Sequence, residues 1–131
     1  MKYIVIVGCG RTGAELARDL SPSANVVIID KNLKALDSLG EDFNGKKVWG
    51  DGLDLHTLEE AEIKQAHALF LLTGNDNLNL VVGKVVKRRY QVPRVILQVN
   101  DVVKEKIFRE AGLTIVNRTS LLIDVLKKYI T

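Results

Sequence analysis

The sequence has a single cysteine, Cys9, only two prolines, and an aromatic content of 5%. One cysteine cannot form a disulfide within the chain, which fits a reducing compartment. Long apolar runs are also lacking, since segments such as 4–7, 26–29 and 69–72 fall far short of the roughly 20 residues that span a bilayer as a helix. We therefore expect neither a disulfide-stabilised secreted domain nor direct membrane insertion.

The excess of positive over negative charge is also small, because the formal net charge is only +3. Nucleic-acid binders more often carry a dense basic stripe interleaved with exposed aromatic residues. The one basic cluster consists of Lys84, Lys87, Arg88 and Arg89. We interpret it as the solvated face of a helix and expect no nucleic-acid partner.

The length of 131 residues suits one domain with one core. The N-terminal residues 1–3 lead directly into a strand-like segment and lack the features of a signal peptide. We expect a single domain over residues 1–131 and a cytoplasmic location.

Short apolar segments alternate with segments of helical spacing along the whole chain. The predicted strands are 2–7, 25–29, 47–49, 68–72, 94–99 and 113–116. The predicted helices are 11–20, 33–39, 54–61, 77–90, 101–110 with Gly112 as its stop, and Ser120 to the C-terminus. This alternation predicts an α/β fold, a Rossmann-like doubly wound parallel six-stranded sheet with helices on both faces.

Two of these helices carry specific expectations. The inner side of helix 77–90 is predicted to consist of Leu78, Val81, Val82, Val85 and Val86. The last helix, about 119–131, is apolar over most of its circumference, more than a helix on the edge of a monomer needs. It either packs deeply on its own sheet or also covers a neighbouring subunit, and we favour the subunit interface.

The strongest motif is the GxGxxG sequence at residues 8–13, which follows a strand and opens a helix. Gly8 suits the tight turn, Gly10 permits close approach of a phosphate, and Gly13 permits close packing of helix on strand. The N–H groups and positive dipole end of the helix favour phosphate. The motif therefore predicts a dinucleotide-type phosphate site.

Asp30 supports this interpretation, because it ends the second strand about 20 residues beyond the turn. A carboxylate there can accept hydrogen bonds from both ribose hydroxyls and repels a 2′-phosphate, which disfavours NADP. The alternative is that Asp30 merely caps the following helix.

Two further turns lie at the predicted carboxyl edge of the sheet, where ligands bind in open α/β folds. Asp51 and Gly52 follow the third strand, and Asp51 can accept a hydrogen bond from an adenine amino group. Thr73-Gly74-Asn75 follows the fourth strand and is expected to close over the same crevice. Their alternatives are an ordinary strand-to-helix turn and capping by Asn75 or Asp76.

Arg11 can pair bidentately with phosphate, or point to solvent or to a partner subunit. Cys9 is either a redox thiol or, as we favour, a small residue that fills the turn. His56 and His67 are isolated, so we predict no metal site.

With these residues in place, the chain resembles the N-terminal Rossmann subdomain of the regulators of potassium conductance, which include Trk/Ktr-type subunits of potassium uptake systems and channel gating rings. The resemblance covers nearly the whole chain. The matching blocks are residues 4–13, 26–31, 48–52, 58–63, 68–79 and 95–101. Two features depart from the family: Gln98 stands where a basic residue is common near the ligand crevice, and the chain ends at Thr131, where regulators usually continue into a second small ligand-binding subdomain.

The resemblance implies a cytoplasmic regulator, peripheral to the membrane, that forms homo-dimers or larger rings on a membrane potassium transporter or channel subunit. It implies that an adenine nucleotide, AMP, ADP, ATP or NAD(H), changes the conformation of the ring and thereby gates ion transport. The implied nucleotide-binding residues are Gly8, Cys9, Gly10, Arg11, Thr12 and Gly13, then Asp30, Lys31, Asp51, Gly52, Thr73, Gly74 and Asn75.

Two other functions compete with regulation. A fragment of an NAD-dependent oxidoreductase would need a substrate pocket and a proton-transfer residue, which we do not identify in the sequence. A non-sensing assembly module would bind a nucleotide only for stability. We expect a regulator with no catalytic residue.

Overall fold

The computed structural model describes residues 1–110 and 113–131, so the predicted helix stop at Gly112 lies outside the described residues. The strands are β1 (Tyr3–Val7), β2 (Asn25–Asp30), β3 (Lys46–Trp49), β4 (Ala68–Leu71), β5 (Arg94–Gln98) and β6 (Thr114–Val116). The α-helices are α1 (Arg11–Leu20), α2 (Leu33–Asp37), α3 (Leu55–Glu60), α4 (Asp76–Arg89), α5 (Val102–Glu110) and α6 (Arg118–Lys127).

The strands form one six-stranded sheet in the order β3-β2-β1-β4-β5-β6, and every neighbouring pair is parallel. This order confirms the predicted doubly wound sheet. The chain crosses from one half to the other between β1 and β4, which creates the switch point where such sheets bind ligands. The β1–α1 turn lies at that point.

The core has two layers because β1 buries both of its faces. Val5 and Val7 face a layer that includes α3 and α4, whereas Ile4 and Ile6 face α1 and α2. Val5 and Ile6 are both fully buried, which explains why the central strand appears in the sequence as a continuous apolar run.

The predicted elements occur with ends shifted by a few residues. The largest difference is that α6 ends at Lys127 rather than at the C-terminus; α6 also begins at Arg118 rather than Ser120, and α2 ends at Asp37. A short 3₁₀-helix at Ile63–Gln65 was not predicted. Side-chain caps account for several starts, since Asn32, Asp54, Asn75 and Asn117 each accept a backbone N–H of the helix that follows.

The predicted inner side of α4 is partly wrong. Val82 and Val86 are buried, but Val81 and Val85 are exposed. The sequence places valines on adjacent positions, so spacing alone does not decide which pair faces inward. Gly83 lies on the buried side with Val82 and Val86, and a Cβ there would lie 3.0 Å from the Leu97 side chain, so the close approach of α4 to β5 favours a small residue at this position. The basic cluster on α4 is exposed, as predicted, and the absence of a nucleic-acid partner stays a prediction.

The structure does not show the alternative considered for the last helix, deep packing on its own sheet, because α6 has no buried residue. Leu121, Leu122 and Val125 border an apolar groove of about 490 Å³ between α6 and the sheet. Their exposed fractions of 53%, 56% and 47% leave the apolar face largely uncovered. Within the described residues, no helix combines the length and the apolar character needed to cross a membrane.

Candidate functional site

A cavity of about 310 Å³ lies at the carboxyl edge of the sheet, over the switch point. It brings together turns that are far apart in sequence: the glycine turn after β1, the end of β2, and the turns after β3 and β4. Predicted site residues that line it are Gly8, Gly10, Asp30, Lys31, Asp51, Gly52, Thr73, Gly74 and Asn75. Sequence reasoning missed the remaining lining residues, Val7, Ile29, Gly50, Leu72 and Leu78.

The glycine turn is dictated by backbone packing. Gly8 has φ +113°, and a Cβ there would lie 2.8 Å from the Leu72 carbonyl carbon. A Cβ at Gly13 would lie 1.9 Å from the Gly8 carbonyl oxygen, a contact that no side chain can make. These two glycines hold α1 against the end of β1 and β4.

Gly10 differs from both, because a Cβ there would meet no protein atom within 4 Å. Packing of the chain on itself therefore does not require glycine at this position. Gly10 is the N-cap of α1 and contributes no side-chain oxygen to the first-turn N–H groups. The start of α1 thus offers backbone donors and the positive end of the helix dipole beside the cavity.

Asp30 fixes the turn from the neighbouring strand. Its Oδ2 accepts the Cys9 backbone N–H at 2.7 Å, and its Oδ1 accepts the Asn32 N–H at 2.8 Å. The cap of α2 is Asn32, whose side chain accepts N–H groups of that helix, so capping does not account for Asp30. An ionised carboxylate has about four acceptor positions, so capacity remains on the side that faces the cavity.

The turn after β3 is held by local hydrogen bonds. Asp51 is exposed, and its Oδ1 accepts the Leu53 N–H at 2.9 Å. Gly52 is buried, and a Cβ there would lie 2.8 Å from the Val7 side chain in the wall of the cavity. Asp54, not Asp51, caps α3. The ordinary turn and the position on the cavity therefore coexist.

The turn after β4 depends on a buried amide that the sequence did not reveal as important. Asn79 in α4 is fully buried and donates from Nδ2 to the carbonyls of Thr73 at 3.0 Å and Gln98 at 2.9 Å. Its Oδ1 accepts a hydrogen bond from the Thr73 hydroxyl. Asn75 caps α4 through the Leu78 N–H, so the capping alternative holds while Asn75 also lines the cavity.

Four predicted residues lie behind or beside the cavity wall rather than in it. Arg11 and Thr12 are exposed and border a shallow depression along α1. Gly13 is buried in the packing described above. Cys9 is 3% exposed, and its thiol donates to the Ala35 carbonyl at 3.2 Å.

The Cys9 thiol is held in its neutral form. Burial raises its pKa, and the nearby Asp30 carboxylate raises it further, although Arg18 and Lys47 act in the opposite direction. Reactive cysteines have a lowered pKa and partial exposure. Cys9 has neither property, which favours the turn-filling interpretation over the redox one.

Gln98 lies apart from the cavity. Its side chain borders the apolar groove beneath α6 and donates to the Asn100 side chain at 3.2 Å. His67 accepts the Tyr3 N–H at its Nδ1, which gives it a structural partner. The described residues contain no group of three or more His, Cys, Asp or Glu that could hold a metal ion.

The chain matches the TrkA-N domain family over residues 4–118. It is 33% identical over 112 residues to the Trk system potassium uptake protein TrkA of Streptomyces coelicolor, covering 85% of this chain and 50% of that protein. It is 38% identical over 109 residues to the TrkA homolog of Pyrococcus abyssi, covering 82% of this chain and 48% of the homolog. The chain therefore spans about half the length of these curated relatives.

Solved structures share the fold over almost the whole chain. The TrkA-N domain of the inner membrane protein ybaL from Escherichia coli superposes with a TM-score of 0.88 at 17% identity, covering 99% of this chain and 97% of that one. The GsuK channel bound to NAD has a TM-score of 0.78 at 25% identity, covering 92% of this chain and 22% of the channel. GsuK bound to ADP has a TM-score of 0.73 at 26% identity, covering 88% and 31%.

The family match includes the strands and turns that form the cavity. On sequence and fold together, the chain belongs to the TrkA-N domain family.

Proposed function

We propose that this chain is the nucleotide-binding regulatory domain of a potassium uptake system or channel. The observation that carries the proposal is the cavity at the switch point, where Asp30 and the open N-terminus of α1 face each other across the glycine turn. The names of the relatives support the potassium part, since they are Trk system potassium uptake proteins.

The proposed contacts follow from the chemistry of each wall. Phosphate lies against the glycine turn of residues 8–13, where Gly10 leaves the backbone accessible. The ribose hydroxyls donate to Asp30, with Lys31 beside it. Asp51 and Gly52 border the adenine, and residues 73–75 close the opposite side.

The proposed ligand is an adenine nucleotide with an unmodified ribose: AMP, ADP, ATP or NAD(H). Solved structures of GsuK bound to NAD and to ADP support this class of ligand. NADP is excluded in this proposal, because its 2′-phosphate would meet the Asp30 carboxylate that already accepts two backbone N–H groups.

The proposed role is regulation without catalysis. Bound nucleotides shift a conformational equilibrium only if they differ in affinity for the two conformations. A hydride-transfer enzyme would also need a substrate site and a proton-transfer residue beside the nicotinamide. The relatives named as potassium uptake proteins favour regulation.

Assembly into a homo-dimer or larger ring is the second part of the proposal. Exposed apolar side chains on α6 support it, together with Val102, Val103 and Ile107 on α5, which are 58%, 70% and 58% exposed. Exposed large apolar side chains grouped on a helix face are typical of protein–protein interfaces. In this proposal the assembly is cytoplasmic and reaches the membrane through its transporter or channel partner.

The test is a calorimetric panel of AMP, ADP, ATP, NAD, NADH and NADPH on the purified chain and two variants. Asp30→Ala removes the proposed ribose acceptor together with the acceptor of the Cys9 and Asn32 N–H groups, so thermal melts accompany its titrations. Asp37→Ala removes an exposed carboxylate of α2 outside the cavity as the control. The proposal expects micromolar binding of at least one nucleotide other than NADPH, a loss of roughly tenfold or more in Asp30→Ala, and no change in Asp37→Ala.

The same panel distinguishes the two other functions. Equal binding by Asp30→Ala, or no binding by the wild type, rejects the proposed site. A ligand that raises the melting temperature without changing assembly or ion transport favours the assembly module. Oxidation of NADH with a carbonyl substrate favours the oxidoreductase.

A further inference from the structure

The helix α6 is attached to the rest of the molecule at its first turn. Asn117, which is 2% exposed, precedes it and caps it through the Ser120 N–H at 3.0 Å. The Ser120 hydroxyl donates to Glu105 Oε2 at 3.3 Å. Beyond this turn no side chain of α6 is buried, and Leu121, Leu122 and Val125 border the groove while remaining about half exposed, so the polar contacts at this end contribute to its orientation.

The third contact of this turn reaches the glycine turn. Arg118 Nη2 donates to Thr12 Oγ1 at 2.7 Å, across 106 positions of sequence. Thr12 is the second residue of α1, inside the GxGxxG segment. A guanidinium from the last helix is therefore held against the first turn of α1, beside the cavity in which the proposed function places the nucleotide. Thr12 and Arg118 border the groove beneath α6 and not the cavity itself.

The charge of Arg118 is not neutralised where it lies. It donates to a neutral hydroxyl, and among the described residues it forms no ion pair, unlike Arg18 with Glu15 and Arg109 with Glu105. A guanidinium carries five N–H donors and forms its strongest hydrogen bonds with carboxylate or phosphate. An anion placed near Thr12 would be a better acceptor than the threonine hydroxyl.

We propose that Arg118 contacts the terminal phosphate group of a bound nucleoside di- or triphosphate and so distinguishes ADP and ATP from AMP. The inference rests on the proposed nucleotide site and deepens it. The first phosphate binds the N–H groups of the glycine turn, whereas each further phosphate extends toward Thr12 and Arg118. The contact also transmits the phosphate count to α6, because Arg118 is the first residue of that helix.

This arrangement connects the ligand to the apolar face of α6. Exchange of the Thr12 hydroxyl for a phosphate oxygen moves the guanidinium and with it the first turn of the helix. A small rotation there displaces the far end of a ten-residue helix more, since such a helix is about 15 Å long. Leu121, Leu122 and Val125 lie along that length, beside the groove.

The experiment compares affinities for AMP, ADP and ATP in the full chain and three variants by calorimetry. Arg118→Gln removes the guanidinium, Arg118→Lys keeps a point charge without the planar donors, and Lys128→Gln removes the same charge beyond the other end of α6. We expect Arg118→Gln to weaken ADP and ATP binding about tenfold and AMP binding less than twofold. Arg118→Lys should recover part of the loss, and Lys128→Gln should match the wild type.

A purely structural role for Arg118 predicts a different pattern. In that case Arg118→Gln lowers the melting temperature and weakens all three nucleotides equally, or none, and the inference is overturned. Hydrogen exchange of residues 118–127 gives a second readout on the wild type. We expect ADP, but not AMP, to change exchange in the first turn of α6, and equal effects would contradict the coupling.

Failure of this inference is separable from failure of the proposed function. If the wild type binds ADP, Asp30→Ala loses it and Arg118→Gln retains the wild-type preference for ADP over AMP, the nucleotide site stands and the role of Arg118 is wrong. If the wild type binds no nucleotide, both fail.

Discussion

The helices α1 and α6 are alike in length and in their first residue, but they differ in burial and in how their N-termini are capped. Each has ten residues, follows a strand of the same sheet and begins with an arginine. In α1, Gly13, Ala14 and Ala17 are buried, whereas α6 buries none of its residues. The start of α1 has Gly10 as its cap, whereas Asn117 caps α6 with a side chain.

The difference shows which end of each helix remains available for binding. One side of α1 is buried against the sheet, and its N-terminus presents backbone N–H groups that can bind an anion. The N-terminus of α6 is satisfied by Asn117, and its apolar side lacks a covering surface in the single chain. We infer that α1 serves the ligand and α6 serves the assembly, with Arg118 and Thr12 joining the two.

The largest expected effect comes from adding one methyl group to the packed side of α1. Gly13→Ala should destabilise the chain by about 3 kcal/mol or more, because its Cβ would lie 1.9 Å from a backbone oxygen. Gly10→Ala adds the same methyl group in open space, so we expect a change in unfolding free energy within about 1 kcal/mol together with weaker nucleotide binding. Urea denaturation and calorimetry measure the two effects, and equal destabilisation by both changes would contradict the account.

A charge on the uncovered side of α6 should act on assembly rather than folding. Leu122 is 56% exposed, so Leu122→Asp should change monomer stability by about 0.5 kcal/mol or less. We expect it to weaken self-association about 100-fold if the helix forms the interface. Sedimentation over a concentration series provides the measurement, with Thr119→Asp as the control for an added charge on the same helix.

A smaller effect should follow from removing the cap of α6. Asn117→Ala should lower the unfolding free energy by about 1 kcal/mol, since it removes the acceptor of the Ser120 N–H and a buried amide. Gly10→Ser would supply a cap to α1, and we expect it to preserve or slightly raise stability while lowering nucleotide affinity. Thermal melts and ADP titrations of both variants test this asymmetry, which would be lost if Gly10→Ser bound ADP as tightly as the wild type.

The smallest effect concerns the pH dependence of the packed turn. Burial raises the folded-state pKa of Cys9, so the neutral thiol contributes stability that is present below its ordinary pKa. That contribution is lost as the pH rises through the raised folded-state pKa, and Cys9→Ala should remove this part of the slope. Alkylation at pH 8 should also be slower in the folded chain than in urea; equal rates would show an accessible, ionised thiol.

Much of the fold could be predicted because its strands and its first crossover leave recognisable patterns in the local sequence. Buried parallel strands leave apolar runs, and the order of strand, glycine turn and helix at residues 3–20 specifies the first crossover. The inner face of α4 could not be predicted, because adjacent valines give both faces the same hydropathy. In the folded sheet, Gly83 packs close to Leu71 and Leu97 on the buried side of α4, a proximity that the sequence does not show.

The site shows the same division. Gly8, Gly10 and Asp30 line the cavity, and the sequence could predict them because their spacing carries a physical requirement. The apolar walls, such as Leu72 and Leu78, look like ordinary core residues in the sequence. Asn79 and Arg118 depend on partners 6 to 106 positions away, and no local pattern reveals such contacts.

The central claim is that an adenine nucleotide binds between the glycine turn and Asp30. Its most direct test is an amide-resolved NMR titration of the wild-type chain with ADP. The account predicts saturable shifts concentrated at residues 8–13, 30–31, 50–52 and 73–75, with smaller shifts at the start of α6. Shifts absent from residues 8–13, or a saturable response confined to another surface, would contradict it.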